Sequence, residues 1–170
     1  MVRSAAAGLK GRQLARIDYY DDPQAPTANS VVPSANVVVV NDDGAVLVIH
    51  RTDNDNWAFP GGAMDLGESL VTTAVREVKE ETGIDCQVTG LVGIYTDPKH
   101  IIFYTSDGEA RQEFSVLFTA RPTGGTPTPS SESREVLWVP REQILALNMD
   151  RSMRMRVQHY LEARPEPYLG

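Results

Sequence analysis

A chain of 170 residues with 41% hydrophobic and 23% charged side chains has the make-up of one folded globular domain, which excludes wholesale disorder. Apolar runs such as Val37 to Val40 are far too short to span a bilayer, and a formal net charge of -7 argues against stable binding to nucleic acid or to an anionic membrane surface. The single cysteine, Cys86, rules out an internal disulfide framework and fits a reducing, cytoplasmic setting.

The first stretch, "MVRSAAAGLKGRQLARIDYY", starts positively charged but lacks a sustained apolar region, so it does not read as a secretory signal. Residues 1–35 read as an arm, because "YYDDPQAPTANSVVP" is rich in Pro, Asp, Asn and Ser and has no clear period. Such an arm packs as a sheet edge or swaps onto a partner, and its length favours a homodimer. From Asn36 the pattern turns to strand: "NVVVV" and "AVLVIHR" flank "NDDG", a hairpin signal. Turn residues Pro60, Gly61, Gly62 and Gly67 then lead to a helix predicted over Ser69 to Thr82. Ser69 is its N-cap, and Gly83 stands at its C-terminus. Val71, Ala74, Val75 and Val78 recur at helical spacing and give it a core face, with Glu77, Glu80 and Glu81 on the other side.

Three more strands are expected in "CQVTGLVGIYT", "HIIFYT" and "EFSVLFTARP", the last two joined through an Asp-Gly turn in "SDGEARQ". "TGGTPTPSSESR" is a loop by composition and "EVLWVP" a short strand. Two amphipathic helical stretches, "REQILAL" and "SMRMRVQHYLEA", precede Pro165, and "RSMRMR" reads as one basic side of the second. Strands and helices mix without regular alternation, so the fold class is α+β, a sheet against a few helices.

Glu77, Glu80 and Glu81 repel one another when ionised, which weakens a helix by a few tenths of a kcal/mol per pair, on the order of 0.2–0.5. Two readings stay open on the residues alone. One is a solvated acidic face screened by Arg76 and Lys79. The other is a set of hard oxygen ligands for Mg²⁺, which takes near-octahedral oxygen coordination and is usually completed by substrate phosphates.

The spacing narrows the choice. Gly62, Glu68, Arg76, Glu77, Val78, Glu80, Glu81, Gly83 and Ile84 match every fixed position of the pattern GX5EX7REUXEEXGU, where U is aliphatic, and "WAFPGG" lies just upstream. This stretch resembles the signature of the Nudix hydrolases. The resemblance implies an α/β/α sandwich with a domain over residues 36–147 and with 148–170 as its C-terminal helix and tail. It also implies a Mg²⁺- or Mn²⁺-dependent hydrolase that uses metal-activated water to cleave a nucleoside diphosphate linked to another group, an ADP-ribose-like nucleotide sugar or a (d)NTP. Carried over by position, the metal site takes in Glu77, Glu80, Glu81, Glu68 and a main-chain carbonyl at Gly61 or Gly62, with Arg76 orienting the glutamates.

The proton acceptor is either Glu77 or a carboxylate from a late loop, where Glu132 in "SSESREVLW" stands at the expected place. Glu113 in "RQEF" is a third candidate in the site, and Arg51, ending a strand just before the glycine turn, suits a phosphate contact. His50, His100 and His159 lack metal-ligand spacing and read as strand or surface residues, with His100 after "TDPK" as a minor candidate for facing substrate. Cys86 reads as a packed small residue. The alternative from another class is a non-catalytic module of the same fold that senses a nucleotide; such modules often lose signature glutamates, and this chain keeps all of them.

Overall fold

Two valine-rich runs set the centre of the molecule. Val37, Val38 and Val39 of β3 (Ser34–Val39) and Val46 to Ile49 of β4 (Val46–Arg51) are buried, so both faces of each strand are covered, as near-continuous β-branched runs require. A computed structural model describes residues 16–170; the reading of the first fifteen residues as lacking a secretory signal lies outside the described residues. Among the described residues, no helix is long and apolar enough to cross a membrane.

The fold is an α+β sandwich built on three sheets. The largest runs β12 (Tyr168–Leu169), β7 (Ile84–Tyr95), β10 (Ser115–Gly125), β3 and β6 (Gly61–Ala63). It is mixed, because β10 lies antiparallel to β7 and parallel to β3. A second sheet holds β11 (Ser133–Val139), β4 and β5 (Trp57–Ala58). The third runs β1 (Arg16–Tyr20), β8 (His100–Tyr104), β9 (Ala110–Gln112) and β2 (Ser30–Val31). Helix α1 (Leu70–Thr82) packs on β3, β6 and β7, while α2 (Arg151–Glu162) packs on β7 and on a 3-10 helix, Arg141–Ala146.

The described part of the arm packs as a sheet edge: β1 pairs antiparallel with β8, Arg16 opposite Tyr104 and Tyr20 opposite His100. The hairpin expected around "NDDG" closes as a turn, with Asn41 bonded to Ala45 and Gly44, but its strands share only the bridge between Val40 and Val46. Beyond it β3 and β4 enter different sheets, since each buries both faces and finds partners elsewhere. Likewise, the Asp107-Gly108 turn joins β8 to the short strand β9, not to β10.

Helix α1 has the predicted ends. Ser69 Oγ accepts a hydrogen bond from the Thr72 N–H, and Gly83 takes the left-handed conformation that closes the last turn onto Lys79. Its faces differ from expectation. Val71 is 48% exposed, whereas Thr73, Ala74, Val78, Glu81 and Thr82 are buried, so the core stripe is rotated and takes in a glutamate. The basic side expected for "RSMRMR" is also divided: Arg154 binds the carbonyls of Leu145 and Leu147, and Arg156 is buried.

Candidate active site

The turn ahead of α1 is built on two glycines. A Cβ on Gly61 would lie 2.1 Å from the Ala35 carbonyl oxygen, so only glycine lets β6 approach β3 here. A Cβ on Gly62 would lie 2.5 Å from Glu77 Oε1 and fill the space in front of that carboxylate. The Gly61 N–H donates to Glu81 Oε2 at 2.8 Å, which ties the turn to the last turn of α1.

The signature carboxylates are unequal in their surroundings. Glu80 is largely exposed, Glu77 is mostly covered, and Glu81 is only 4% exposed. Burial drives the Glu81 carboxyl from 4.5 up to about 8, against the pull of the Gly61 N–H and of Arg51, and the negative charges of Glu77 and Glu132 add to the rise. Burial also raises Glu77, although its hydrogen bond from Arg76 opposes the change.

Arg76 is the hub of the cluster. Its Nη1 donates to Glu77 at 2.8 Å and to Glu80 at 3.1 Å. Its Nε and Nη2 grip Glu68 at 2.7 and 3.0 Å, and Nη2 also reaches the Ala63 carbonyl. Glu68 additionally accepts from Thr73 Oγ1 and the Asp65 N–H; the Arg76 hydrogen bonds, then that from Thr73, hold its carboxyl down at about 2. Both Glu68 oxygens are thus engaged. Glu68 thereby anchors Arg76, which in turn holds Glu77 and Glu80.

A cleft of about 430 Å³ opens in front of this cluster, and Gly61, Gly62, Arg76, Glu77, Glu80 and Glu132 line it. Glu132 reaches it from the loop before β11, which is pinned to α1 where Ser133 Oγ donates to the Glu81 carbonyl at 2.7 Å and Thr128 N–H to the Thr82 carbonyl. The Glu132 carboxylate is exposed and makes no hydrogen bond or ion pair with the described residues. Arg51 also lines the cleft, held bidentate by Asp53 at 2.9 and 2.7 Å.

Glu113 borders the cleft but does not point a free carboxylate into it. It is buried, with one oxygen 2.8 Å from His100 Nδ1 and the other bonded to Arg156 Nη2. His100 is likewise buried, between Asp18 and Glu113 and stacked on Tyr20, and is not among the residues lining this cleft. His50 lies between Asp55 and Glu135, and His159 bonds the Tyr95 hydroxyl; both are outside the cleft wall. Cys86 is packed in β7, as its position suggested.

Sequence reasoning missed Arg16, Tyr104, Arg111 and Arg156, all of which line the cleft. A signal was available for two of them. Arg16–Asp18 within β1, and Glu109–Arg111 and Arg51–Asp53 at strand ends, are arginine–carboxylate pairs two residues apart, a spacing that in extended backbone puts both side chains on one face.

The donor set fits a hard divalent cation on its own chemistry. Two raised, partly dehydrated carboxylates and a third exposed one stand beside a main chain stripped of side chains at Gly61 and Gly62. Among the described residues, no three acidic, histidine or cysteine side chains are already drawn together as a metal cage; Arg76 takes up part of their charge instead.

The sequence profile of the NUDIX domain matches residues 31–160. A MutT-like protein of Streptomyces ambofaciens is 36% identical over 129 residues, covering 74% of this chain and 75% of its own. A putative 8-oxo-dGTP diphosphatase of Bacillus subtilis strain 168 is 34% identical over 106 residues, 62% of this chain and 64% of its own. The crystal structure of a MutT protein from Bacillus halodurans superposes with a TM-score of 0.63 at 30% identity, over 81% of this chain and 87% of that one.

Proposed function

This chain belongs to the NUDIX family of pyrophosphate-bond hydrolases, and from that membership we propose that it is a Mg²⁺-dependent enzyme cleaving the diphosphate bond of an ADP-ribose-like nucleotide sugar or a (d)NTP. The observation that carries the reading is that Glu77, Glu80 and Glu132 line one cleft with Gly61 and Gly62, next to the buried Glu81. Glu77, Glu80, Glu81 and a main-chain carbonyl at Gly61 or Gly62 would hold Mg²⁺ or Mn²⁺. When bound, such an ion neutralises phosphoryl oxygens that otherwise repel a nucleophile, and it makes water more acidic.

The protein's own groups supply the rest. Arg76 orients Glu77 and Glu80 while Glu68 fixes Arg76. Arg51, already squared by Asp53, meets the phosphate chain in the cleft. Glu132 takes the proton from the attacking water, because it lines the cleft with no cation among the described residues tying it down, whereas Glu77 is committed to Arg76.

A hydrolysis screen tests this reading, with ADP-ribose, UDP-sugars, diadenosine polyphosphates and (d)NTPs with their oxidised forms, each with Mg²⁺ and with a chelator. We expect at least one to be cleaved at its diphosphate bond only when the ion is present. Nucleotide binding without turnover of any of them would give precedence to the sensing module.

A further inference from the structure

Three arginines of the cleft are built alike. Arg16, Arg51 and Arg111 each donate from Nε and Nη2 to a carboxylate two residues away, Asp18, Asp53 and Glu109, at 2.7 to 3.1 Å. A guanidinium is a rigid fork of N–H donors, and this grip uses one side of it. Nη1 of each has no hydrogen-bond partner among the described residues. Nor is it sealed in: among the described residues, the only buried polar side-chain atoms without a partner are the Tyr20 hydroxyl and Arg156 Nε, so all three Nη1 groups keep contact with solvent. The side chains are otherwise well covered, at 22%, 22% and 20% exposed.

The fold brings these arginines together from two sheets. In the third sheet Arg16 stands opposite Tyr104 and Arg111 opposite Ile102; since Ile102 and Tyr104 are two apart in β8, all four side chains share one face. The Arg111 guanidinium lies 5.0 Å from the centre of the Tyr104 ring. Arg51 arrives from β4 in the second sheet, close enough to Arg16 for the two charges to oppose each other. Arg16, Arg51 and Tyr104 line both the cleft and an adjoining hollow of about 420 Å³, and Glu132 stands on the wall of both. Like charges drawn together in this way repel, and an anion between them removes that cost. Phosphate oxygens suit the free side of each fork, because a guanidinium edge matches them geometrically as well as in charge.

We propose that Arg16, Arg51 and Arg111 form an oligophosphate site between the second and third sheets, one that binds its anion without a metal ion. Its ligand is a run of linked phosphate groups, carried by the substrate or free as an inorganic anion. The inference goes beyond the hydrolase reading, since the site needs neither the glutamates of α1 nor a divalent cation. It also gives β1 a task, because Arg16 is what this edge strand contributes to the cleft wall.

Calorimetric titration of the intact protein with inorganic tripolyphosphate and with orthophosphate, in chelator and at low ionic strength where screening is weak, tests the inference apart from turnover. Tripolyphosphate should bind, and orthophosphate at least about tenfold more weakly, because one phosphate cannot engage every fork. Arg16→Gln and Arg111→Gln should each weaken tripolyphosphate by about tenfold or more, the usual worth of a hydrogen bond to a charged group. The two changes lie on different strands, so a loss of fold in one leaves the other to decide, and the melting temperature of each is taken alongside. A raised KM of Arg16→Gln for a substrate found in the hydrolysis screen would place that substrate's own phosphates here. An unchanged KM with tripolyphosphate binding lost would assign the site to a free inorganic anion. No binding of tripolyphosphate to the wild type in chelator, or binding undiminished in the folded variants, would overturn the proposal. Cleavage with Mg²⁺ in the same preparation reports separately on the enzyme reading.

Discussion

Glu77 and Glu132 compete for the part of proton acceptor, and their surroundings separate them. A base must be free to take a proton and within reach of the cleft. Glu77 is mostly covered and spends an oxygen on Arg76, while Glu132 is exposed, without a partner among the described residues, and set in a loop pinned to α1 through Ser133. Glu132→Gln should therefore lower kcat by about a hundredfold or more, the usual loss when a general base is removed, with KM little changed; a silent change would return the role to Glu77. The place of Glu132 was legible because a loop ahead of a strand is a local pattern. That of Glu113 was not, since its partners Arg156 and His100 come from other elements, Arg156 being 43 residues away in sequence.

At the scale of the element, α1 shows both what a sequence displays and what it hides. Its ends follow from Ser69 and Gly83, whose capping is decided within a few residues. Its buried stripe is decided by β3, β6 and β7, which cover the flank holding Thr73, Val78 and Glu81 and leave Val71 outside. Angular spacing therefore grouped Glu81 with two glutamates that stay closer to water. The burial has a pH consequence. Between the ordinary 4.5 and about 8, Glu81 keeps a proton in the folded chain that the unfolded chain has lost. Folded stability from this group is full below the lower value and falls as pH rises through the upper one. Without divalent ions, the melting temperature should decline from about pH 5 to about pH 8, and Glu81→Gln should flatten that decline. Mg²⁺ bound at Glu81 would replace the proton, so it should raise the melting temperature more at the alkaline end; an equal gain at both ends would place the ion away from Glu81.

The whole molecule brings together what lies far apart in the chain. The cleft takes Arg16 from β1, Arg51 from β4, the glutamates from α1, Glu132 from the loop before β11 and Arg156 from α2. The α+β class and most strands were legible from alternation and turn residues. The sheet order was not: β3 and β4 look like a hairpin because "NDDG" is a local turn, yet each finds its partners across the sequence in β10 and β11. The Asp18–His100 contact, 82 residues apart, was hidden for the same reason. What such an assembly does is decided most directly by following diphosphate-bond cleavage against Mg²⁺ concentration for the wild type and for Glu80→Gln, with the melting temperature of each. Glu80 is 59% exposed, so the amide should leave the fold intact. We expect wild-type turnover to rise from none to saturation with Mg²⁺, and the variant to be slower by about a hundredfold or more at an unchanged melting temperature. Cleavage that needs no divalent ion, or a variant as fast as the wild type, would contradict a metal-dependent active site on this helix.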